Sequence, residues 1–503
     1  MFSASSPEKE AGRDFRVRPM HSVLLTVSNL RSIFGDANAV PGHPHTGVAY
    51  LSSYLKSKGV QVDLYDERMD GPDRLVELLK NKYDLVGVTS FSYSLPHVYA
   101  LIDRIKAHTK APVVIGGPHV SVSHLKVLKD TAVDFAIKNE GELTTLHLLE
   151  VLKSPQPNFA EVQGLLWRNG SEYVENCDRP LIQNLEEMPY PDYESFGIER
   201  YPCYQVKAIP LITQRGCPYK CTFCSVPLTM GSGFRSRSAE NSVKEIEYWY
   251  NKGWRHFQIN DDVFNLHPQR VMDICRLIIE KNIKITWELW NGMRVNAVTE
   301  ELLILMKESG CRLVNFGCES GSPRVLKVIK KGLNKDMVVK AVTLAKKVGI
   351  TSSVGFIAGH PTEPYEEAKE SLKFAKSLPA TFINFNNATP YPGTELFKFV
   401  QEHARLLVPN YLTDMSYNSK YPIFETDEFT KEERMIIIKK GKNLYEWSML
   451  RYRMGPFFGS LAYYLSRFKL IDHWGRKFVT NTNIGHVIFS KFSEKFGGMV
   501  WMR

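Results

Sequence analysis

Twice along this chain short β-branched runs alternate with segments of helical periodicity, and that alternation leaves few folds open. In the first stretch strands are expected at residues 22–27, 60–65, 85–89, 113–116 and 133–137, with helices at 48–58, 73–82, 96–109, 121–129 and 142–152. Such alternation specifies a doubly wound parallel sheet covered on both faces, whose ligand lies beyond the carboxyl ends of the strands. The second stretch has strands at 209–214, 256–260, 285–289, 313–317, 352–357 and 382–386. Six strand–helix units make a partial (β/α)6 barrel, which also keeps its chemistry at the carboxyl ends. The fold class is therefore α/β, and 503 residues are too many for one core.

Five regions are expected: a flexible start at 1–19, the doubly wound domain at 20–155, a hairpin and linker at 156–205, the barrel at 206–400, and a mainly helical, basic and aromatic region at 401–503. The hairpin is read from the alternating residues 165–174 around Asn169-Gly170, and the proline-bearing stretch after it as an ordered linker. The start carries no apolar core of a secretory signal, and no uncharged apolar run is long enough to cross a bilayer. Eight cysteines, three of them clustered, suit a reducing compartment, so a cytoplasmic protein is expected.

Charge is unevenly spread. The formal net charge is +10, and residues 449–503 hold nine Lys and Arg against Asp472 and Glu494. Within that segment the aromatics of residues 455–465 are flanked by Arg451, Arg453, Arg467 and Lys469. Two readings stay open: peripheral contact with the anionic inner face of a membrane, or a helical cap on the barrel with its basic face in water. No RNA-binding motif accompanies the basic tail, so no nucleic acid is expected.

The chemistry concentrates in one loop after the first barrel strand, where Cys217, Cys221 and Cys224 stand in a C-x-x-x-C-x-x-C spacing. Three close thiolates suit an iron–sulfur cluster, and with no fourth cysteine in the loop one iron is left open to a small molecule. A structural zinc site wants four ligands, and neither Cys203 nor His256 stands at such a spacing. Cys177, Cys203, Cys275, Cys311 and Cys318 are scattered; the last three sit in apolar periodic segments, as buried thiols do.

With Phe223 before its last cysteine, the loop resembles the signature of the radical S-adenosylmethionine (SAM) enzymes. In that family the open iron of a [4Fe-4S] cluster chelates the methionine part of SAM, and an electron delivered through the cluster yields a 5′-deoxyadenosyl radical. The resemblance implies a strand-end carboxylate for the ribose, matched by Glu319 in Gly317-Cys318-Glu319-Ser320-Gly321. It also implies a G-x-I-x-G-x-P run against adenine, matched from Gly355 through Gly359 to Pro361. Arg294 is a candidate for the SAM carboxylate. Asp261 and Asp262 either bond its amino group or cap the next helix. The SAM set is thus Phe223, Asp261, Arg294, Glu319, Ser320, Gly355 and Gly359.

Loops at the carboxyl ends of the first sheet are rich in small and hydroxyl residues, which tight βα turns also use for structure alone. Joined to the cysteine loop, they resemble the cobalamin-binding domain fused to many radical SAM enzymes. The cobalamin contacts so implied are Thr89, Ser90, Ser92, Gly116, Gly117, Pro118, His119, Glu140 and Gly141. The D-x-H-x-x-G motif of domains that ligate cobalt through histidine is absent. His43 and His45 have Gly47 at the wrong offset, so cobalamin without a protein histidine on cobalt is expected, and His119 reads as a loop residue.

Tyr391-Pro392-Gly393-Thr394-Glu395 closes the barrel as in the cobalamin-linked branch of the family. The resemblance then implies methylation of an unactivated carbon of a hydrophobic small molecule, such as a lipid, isoprenoid or tetrapyrrole. One SAM would supply the radical, methylcobalamin the methyl group, and a second SAM would remethylate cobalt. A low-potential donor such as flavodoxin or ferredoxin would be the electron source. Two alternatives stand beside it: cyclisation or oxidation without methyl transfer, as in the anaerobic cyclase of chlorophyll synthesis, and a non-catalytic sensor with a vestigial cluster. Trp287, Trp290, Asn384, Asn386 and Asn387 are expected at the barrel mouth and indicate no single substrate class.

Overall fold

A computed structural model describes residues 21–29, 43–201, 208–412 and 421–467. The expected flexible start, Cys203, Lys469 and most of the basic tail lie outside these residues.

The first domain runs β1 (His21–Val27), α1 (Thr46–Ser57), β2 (Val60–Asp66), α2 (Pro72–Leu78), β3 (Leu85–Thr89), α3 (Leu95–His108), β4 (Val113–Gly116), α4 (Pro118–Ser123), α5 (Lys126–Asp130), β5 (Phe135–Ile137) and α6 (Glu142–Leu152). Its five strands are parallel in the order 2-1-3-4-5. Successive side chains of a strand point to opposite faces, so β1 feeds two cores. Val23, Leu25 and Val27 pack with Leu85, Val114 and Phe135, while Leu24 joins Val86, Val88 and Ile115 on the other face. The helix expected at 121–129 is broken in two at His124, whose φ of +49° lies in the left-handed region.

The hairpin β6 (Leu165–Asn169) and β7 (Glu172–Glu175) adds to this sheet antiparallel to β5. Asn169 pairs with Glu172, so the turn residues are Gly170-Ser171, one position later than expected. Gly170 takes the positive φ, +61°, that a two-residue hairpin turn asks of its first residue. The linker then staples the two sheets. Tyr193 donates its hydroxyl to the Pro210 carbonyl at 2.9 Å, and Tyr201 donates to Asp66 Oδ2 at 2.6 Å.

The second unit begins with β8 (Ile209–Leu211), β9 (Gln214–Arg215), α7 (Val226–Thr229) and β10 (Arg235–Ser236), and β9 and β10 pair as a short antiparallel ladder bracketing the cysteine loop. It continues α8 (Ala239–Asn251), β11 (His256–Ile259), α9 (Pro268–Glu280), β12 (Thr286–Met293), α10 (Glu300–Glu308), β13 (Cys311–Glu319), α11 (Pro323–Val328), α12 (Lys335–Val348), β14 (Thr351–Ala358), α13 (Tyr365–Ser377), β15 (Phe382–Asn387) and α14 (Glu395–His403). The sheet order β15-β14-β13-β12-β11-β8, parallel throughout, is that of an open partial barrel.

After a two-strand ladder, β16 (Arg405–Leu406) with β17 (Phe424–Glu425), the chain ends its described part in α15 (Lys431–Met454) and α16 (Pro456–Leu465). A capping box between Thr430 and Glu433 starts α15. It lies so close over edge strand β15 that a side chain on Gly441 would overlap Phe385. Gly455, with φ +81°, and Pro456 then turn the chain back, and Gly459 lets α16 press on the backbone of α15 at Leu450. No described helix is long and apolar enough to cross a membrane.

Candidate functional site

The entry to the cysteine loop is held by two carboxylates that follow the neighbouring strand β11. Asp261 Oδ1 accepts from Thr213 N at 2.6 Å and Gln214 N at 3.3 Å, and its Oδ2 accepts from Thr213 Oγ1 at 2.5 Å. Asp261 is fully buried, and burial pushes its carboxyl up to about 6. This corrects both expectations for Asp261. Its oxygens neither cap a helix nor stand free for SAM, because they fasten the first strand of the barrel. Asp262 accepts from Gly216 N at 2.9 Å. Gly216 has φ +84°, and a side chain there would overlap the Gly233 carbonyl, so the turn into the loop requires glycine.

Beyond that turn the loop leans on two later segments. Thr222 N donates to the Ile329 carbonyl at 3.2 Å, and Leu396 N to the Thr222 carbonyl at 2.9 Å. Cys217, Cys221 and Cys224 are all free and half-buried. Burial raises the Cys217 thiol and pushes Cys224 up to about 11, so taking up a metal centre would release protons. Among the described residues no three His, Cys, Asp or Glu side chains gather as the ligands of a single ion would. A four-iron cluster instead takes each thiolate on a different iron.

Glu319 ends β13 at a shift of register, with a φ of +71° that a non-glycine residue seldom adopts. Its carboxylate receives Lys331 Nζ at 2.8 Å, with both side chains nearly buried. The same ammonium stands 6.0 Å from the Phe223 ring centre, and the Phe223 ring is 5.7 Å from that of His360. Lys331 carries no motif of its own in the sequence, and only folding delivers it here. Arg294 Cζ lies over the ring of Tyr219 of the loop, 3.6 Å from the ring centre, and Nη2 donates to the Lys331 carbonyl at 2.6 Å. Its buried Nε has no partner.

The remaining SAM candidates divide. Gly355, in the middle of β14, faces open space, the nearest atom to an added Cβ being 4.0 Å away. Gly359 has φ +98°, gives its N–H to Glu363 Oε2 at 2.7 Å, and would overlap Arg434 of α15 if it bore a side chain. Its requirement for glycine comes first from its own backbone angle, and Arg434 of the C-terminal helix adds to it. Ser320, expected in the SAM set, has its hydroxyl engaged within the protein. Its hydroxyl bonds Ser371 Oγ at 3.1 Å and Ser322 N at 3.1 Å, which fastens the strand end to α13.

An open-mouthed cavity of ≈ 270 Å³ lies beyond the carboxyl ends of β1, β3, β4 and β5. Thr89, Gly116, Gly117, Pro118, Glu140 and Gly141 line it from the first domain. The barrel closes the other side with Gln214, Arg215, Thr229 and Asp262. Gly117, at φ +100°, has no room for a side chain against Ser90, and Gly87 in the floor has little against Leu25. Gly116 and Gly141 of the lining would meet nothing nearer than 3.9 and 3.8 Å with a Cβ added, and a bulky, flat ligand needs such bare backbone, so the cavity suits a corrin on this ground. Gly87 was not singled out from sequence; a lone glycine inside a strand is the signal that marks such a place.

Ser90, Ser92 and His119, expected as cobalamin contacts, are not among the residues lining this cavity. Ser90 Oγ donates to the Gly116 carbonyl at 2.8 Å, and Ser92 Oγ bonds His119 Nδ1 at 2.9 Å. Burial pushes His119 down to about 4, so it is a neutral strut beneath the loops. Glu140 is at the cavity but engaged, accepting from Arg215, Arg235 and Ile182 N. His45 caps α1, its Nδ1 accepting from Val48 N at 3.2 Å while Nε2 lies 3.4 Å from Thr89 Oγ1. Burial holds it neutral, with a pKa of about 3. Trp287 is corrected from the barrel mouth to the core, where its indole donates to Ser309 Oγ.

Residues 211–375 match the Radical SAM superfamily, and residues 36–149 match the B12 binding domain. An uncharacterized methyltransferase of Pyrococcus horikoshii is 32% identical over 424 residues, covering 83% of this chain and 91% of that protein. The chain belongs to the cobalamin-binding radical SAM enzymes. An anaerobic magnesium-protoporphyrin IX monomethyl ester cyclase of Cereibacter sphaeroides is 26% identical to this radical SAM enzyme over 462 residues, 86% of this chain and 73% of that one. The same fold is seen in the radical S-adenosylmethionine methyltransferase TsrM from Kitasatospora setae, solved with cobalamin and a [4Fe-4S] cluster bound. That structure has a TM-score of 0.64 and 21% identity, over 76% of this chain and 75% of the other. The cofactors of the present enzyme are a four-iron cluster, SAM and cobalamin.

Proposed function

We propose that this radical SAM enzyme methylates an unactivated carbon of a hydrophobic small molecule. One observation carries the reading: Gln214 and Arg215, immediately before the Gly216-Cys217 turn, also form a wall of the first domain's cavity. The cysteine loop and the cavity thus share one piece of backbone, as a reaction needing both cofactors requires. When bound, SAM on the cluster supplies a hydrogen-abstracting radical and cobalamin a transferable methyl group. Cys217, Cys221 and Cys224 hold the cluster. Glu319, oriented by Lys331, meets the ribose, Gly355 leaves room for adenine, and the free Nε of Arg294 reaches the SAM carboxylate. Thr89, Gly116, Gly117, Pro118 and Gly141 form the cobalamin side.

The hydrophobic substrate and a peripheral contact with an anionic membrane rest on α16, where Phe457, Leu461 and Tyr464 are 73%, 47% and 65% exposed. A cytoplasmic low-potential donor such as flavodoxin or ferredoxin supplies the electrons. Cyclisation or oxidation without methyl transfer is the second reading, favoured by the similarity to the Cereibacter cyclase.

The test is anaerobic incubation of reconstituted enzyme with SAM, cobalamin and a reductant, measuring 5′-deoxyadenosine and S-adenosylhomocysteine. Both products are expected, and Cys221→Ala should lose the cluster and the 5′-deoxyadenosine together. 5′-Deoxyadenosine without S-adenosylhomocysteine would favour the second reading, and neither product would leave a vestigial cluster in a sensor.

A further inference from the structure

Between Cys217 and Cys221 the chain comes to the surface: Pro218 and Lys220 are exposed, whereas the three cysteines are half-buried. Cys217 and Cys221 are thus each bonded to a surface residue. The loop leans on the segment around the end of α11, where Thr222 N donates to the Ile329 carbonyl at 3.2 Å and Phe223 packs on Val325, Leu326 and Ile329. That supporting segment is strongly basic. Residues 324–335 hold five Lys and Arg and no Asp or Glu, a charge run that the SAM site uses only in part. Arg324 is bridged to Glu367 and Lys330 to Glu395, and Lys331 turns inward to Glu319.

Lys327 is exposed, like Lys220, and neither ammonium has a hydrogen bond or an ion pair among the described residues. A solvated lysine face is the ordinary outcome of such a run. What sets this one apart is its place, because Lys220 is bonded to a cluster cysteine and Lys327 lies two residues from the carbonyl that pins the loop. Free cations beside a redox centre attract a partner of opposite charge to that centre.

We infer that the outer face of the cysteine loop, with Lys220 and Lys327 as its free cations, docks the electron donor, a small acidic protein carrying a low-potential centre. The inference rests on the radical reading of the cluster given above. The encounter is electrostatic and brief, so it weakens as salt screens the charges.

The experiment supplies cluster-reconstituted enzyme and SAM with one of two reductants and measures the rate of 5′-deoxyadenosine formation. Reduced flavodoxin is acidic and must dock; reduced methyl viologen is a small cation that need not. With limiting flavodoxin the wild-type rate is expected to fall as sodium chloride is raised. Lys220→Glu combined with Lys327→Glu should lower it roughly tenfold. With methyl viologen the variant should be as fast as wild type, at equal iron content. Lys327→Glu alone leaves the cysteine loop untouched and should show the same split to a smaller degree. A flavodoxin-driven rate that the double variant does not change overturns the inference, and so does an equal loss with both reductants.

A second measurement uses wild-type enzyme alone. Carbodiimide couples flavodoxin carboxylates to amines in contact with them, and cross-links at Lys220 or Lys327 are expected, lost at high salt. Cross-links confined to other lysines would overturn the docking surface. A wild type driven by methyl viologen but by neither reduced flavodoxin nor reduced ferredoxin would do the same. Absence of 5′-deoxyadenosine with every reductant would instead count against the radical reading itself.

Discussion

Glu363 stands behind the Gly359 turn, accepting from the N–H groups of Gly359 and His360 at 2.7 and 3.0 Å. Burial pushes its carboxyl up to about 7 from an ordinary value of 4.5. Arg434, which burial lowers to about 10, shares the site, with Nε donating to the Phe429 carbonyl at 2.9 Å. A carboxyl whose pKa is raised on folding contributes stability that is present below the unfolded value and lost as pH rises through the folded one. Between pH 4.5 and 7 the folded chain therefore holds more of this proton than the unfolded chain, and stability falls as pH rises. Glu363→Gln removes that proton. The difference in stability between wild type and variant should change by up to about 1.4 kcal/mol per pH unit across this window, and stay flat outside it. Urea midpoints at pH 4.5, 6, 7 and 8 would measure it, and a difference that does not vary with pH would refute the assignment. Glu363 and Arg434 lie 71 positions apart with no shared motif, so nothing in the sequence pairs them.

Helix α16 presents two faces with different partners. Gly459 sits against α15, while Phe457, Leu461 and Tyr464 point into solvent at the i, i+4, i+7 spacing of one stripe. The basic residues expected to border them are less free than their charge suggests. Arg451 stacks on Trp447, Arg467 reaches Glu446 at 3.7 Å, and the buried Nε of Arg453 has no partner. Membrane adsorption should accordingly depend on the apolar stripe at least as much as on charge. Sedimentation with phosphatidylglycerol vesicles should carry the protein down, less so at high salt. Phe457→Ser combined with Leu461→Ser should abolish it while leaving the cluster intact. A protein indifferent to such vesicles would leave α16 as a cap on α15.

The two halves of the molecule meet through a buried ionic clasp. Glu140, from the loop after β5, and Glu142, the first residue of α6, take Arg215 at 2.8 Å each, and Glu140 also takes Arg235 at 2.9 Å. All three residues line the cavity, so the clasp closes it where the two halves meet. Breaking a buried pair leaves an uncompensated charge and costs roughly 3–5 kcal/mol. Glu140→Gln with Glu142→Gln should speed proteolysis within the linker at 176–201 and lower cobalamin retention while keeping the iron content. An unchanged cleavage rate would mean that Tyr193 and Tyr201 hold the halves together unaided.

Patterning and spacing alone determined the two strand–helix alternations, the cysteine loop after the first barrel strand, and the glycine-bearing ends of β4 and β14. Strand periodicity and glycine demand are local, so they are written in neighbouring residues. Direction and partnership are not. Ser90, Ser92, His119, Asp261 and Ser320 all lie in the loops the spacing marks, and their side chains bond neighbouring segments of those loops, which no local pattern announces. Lys331 reaches Glu319 and Arg434 reaches Gly359 only because separate strands and helices are packed side by side. Tertiary structure alone decided these, since a buried polar atom takes whichever partner the packing brings within hydrogen-bond distance, and that partner stands tens or hundreds of residues away.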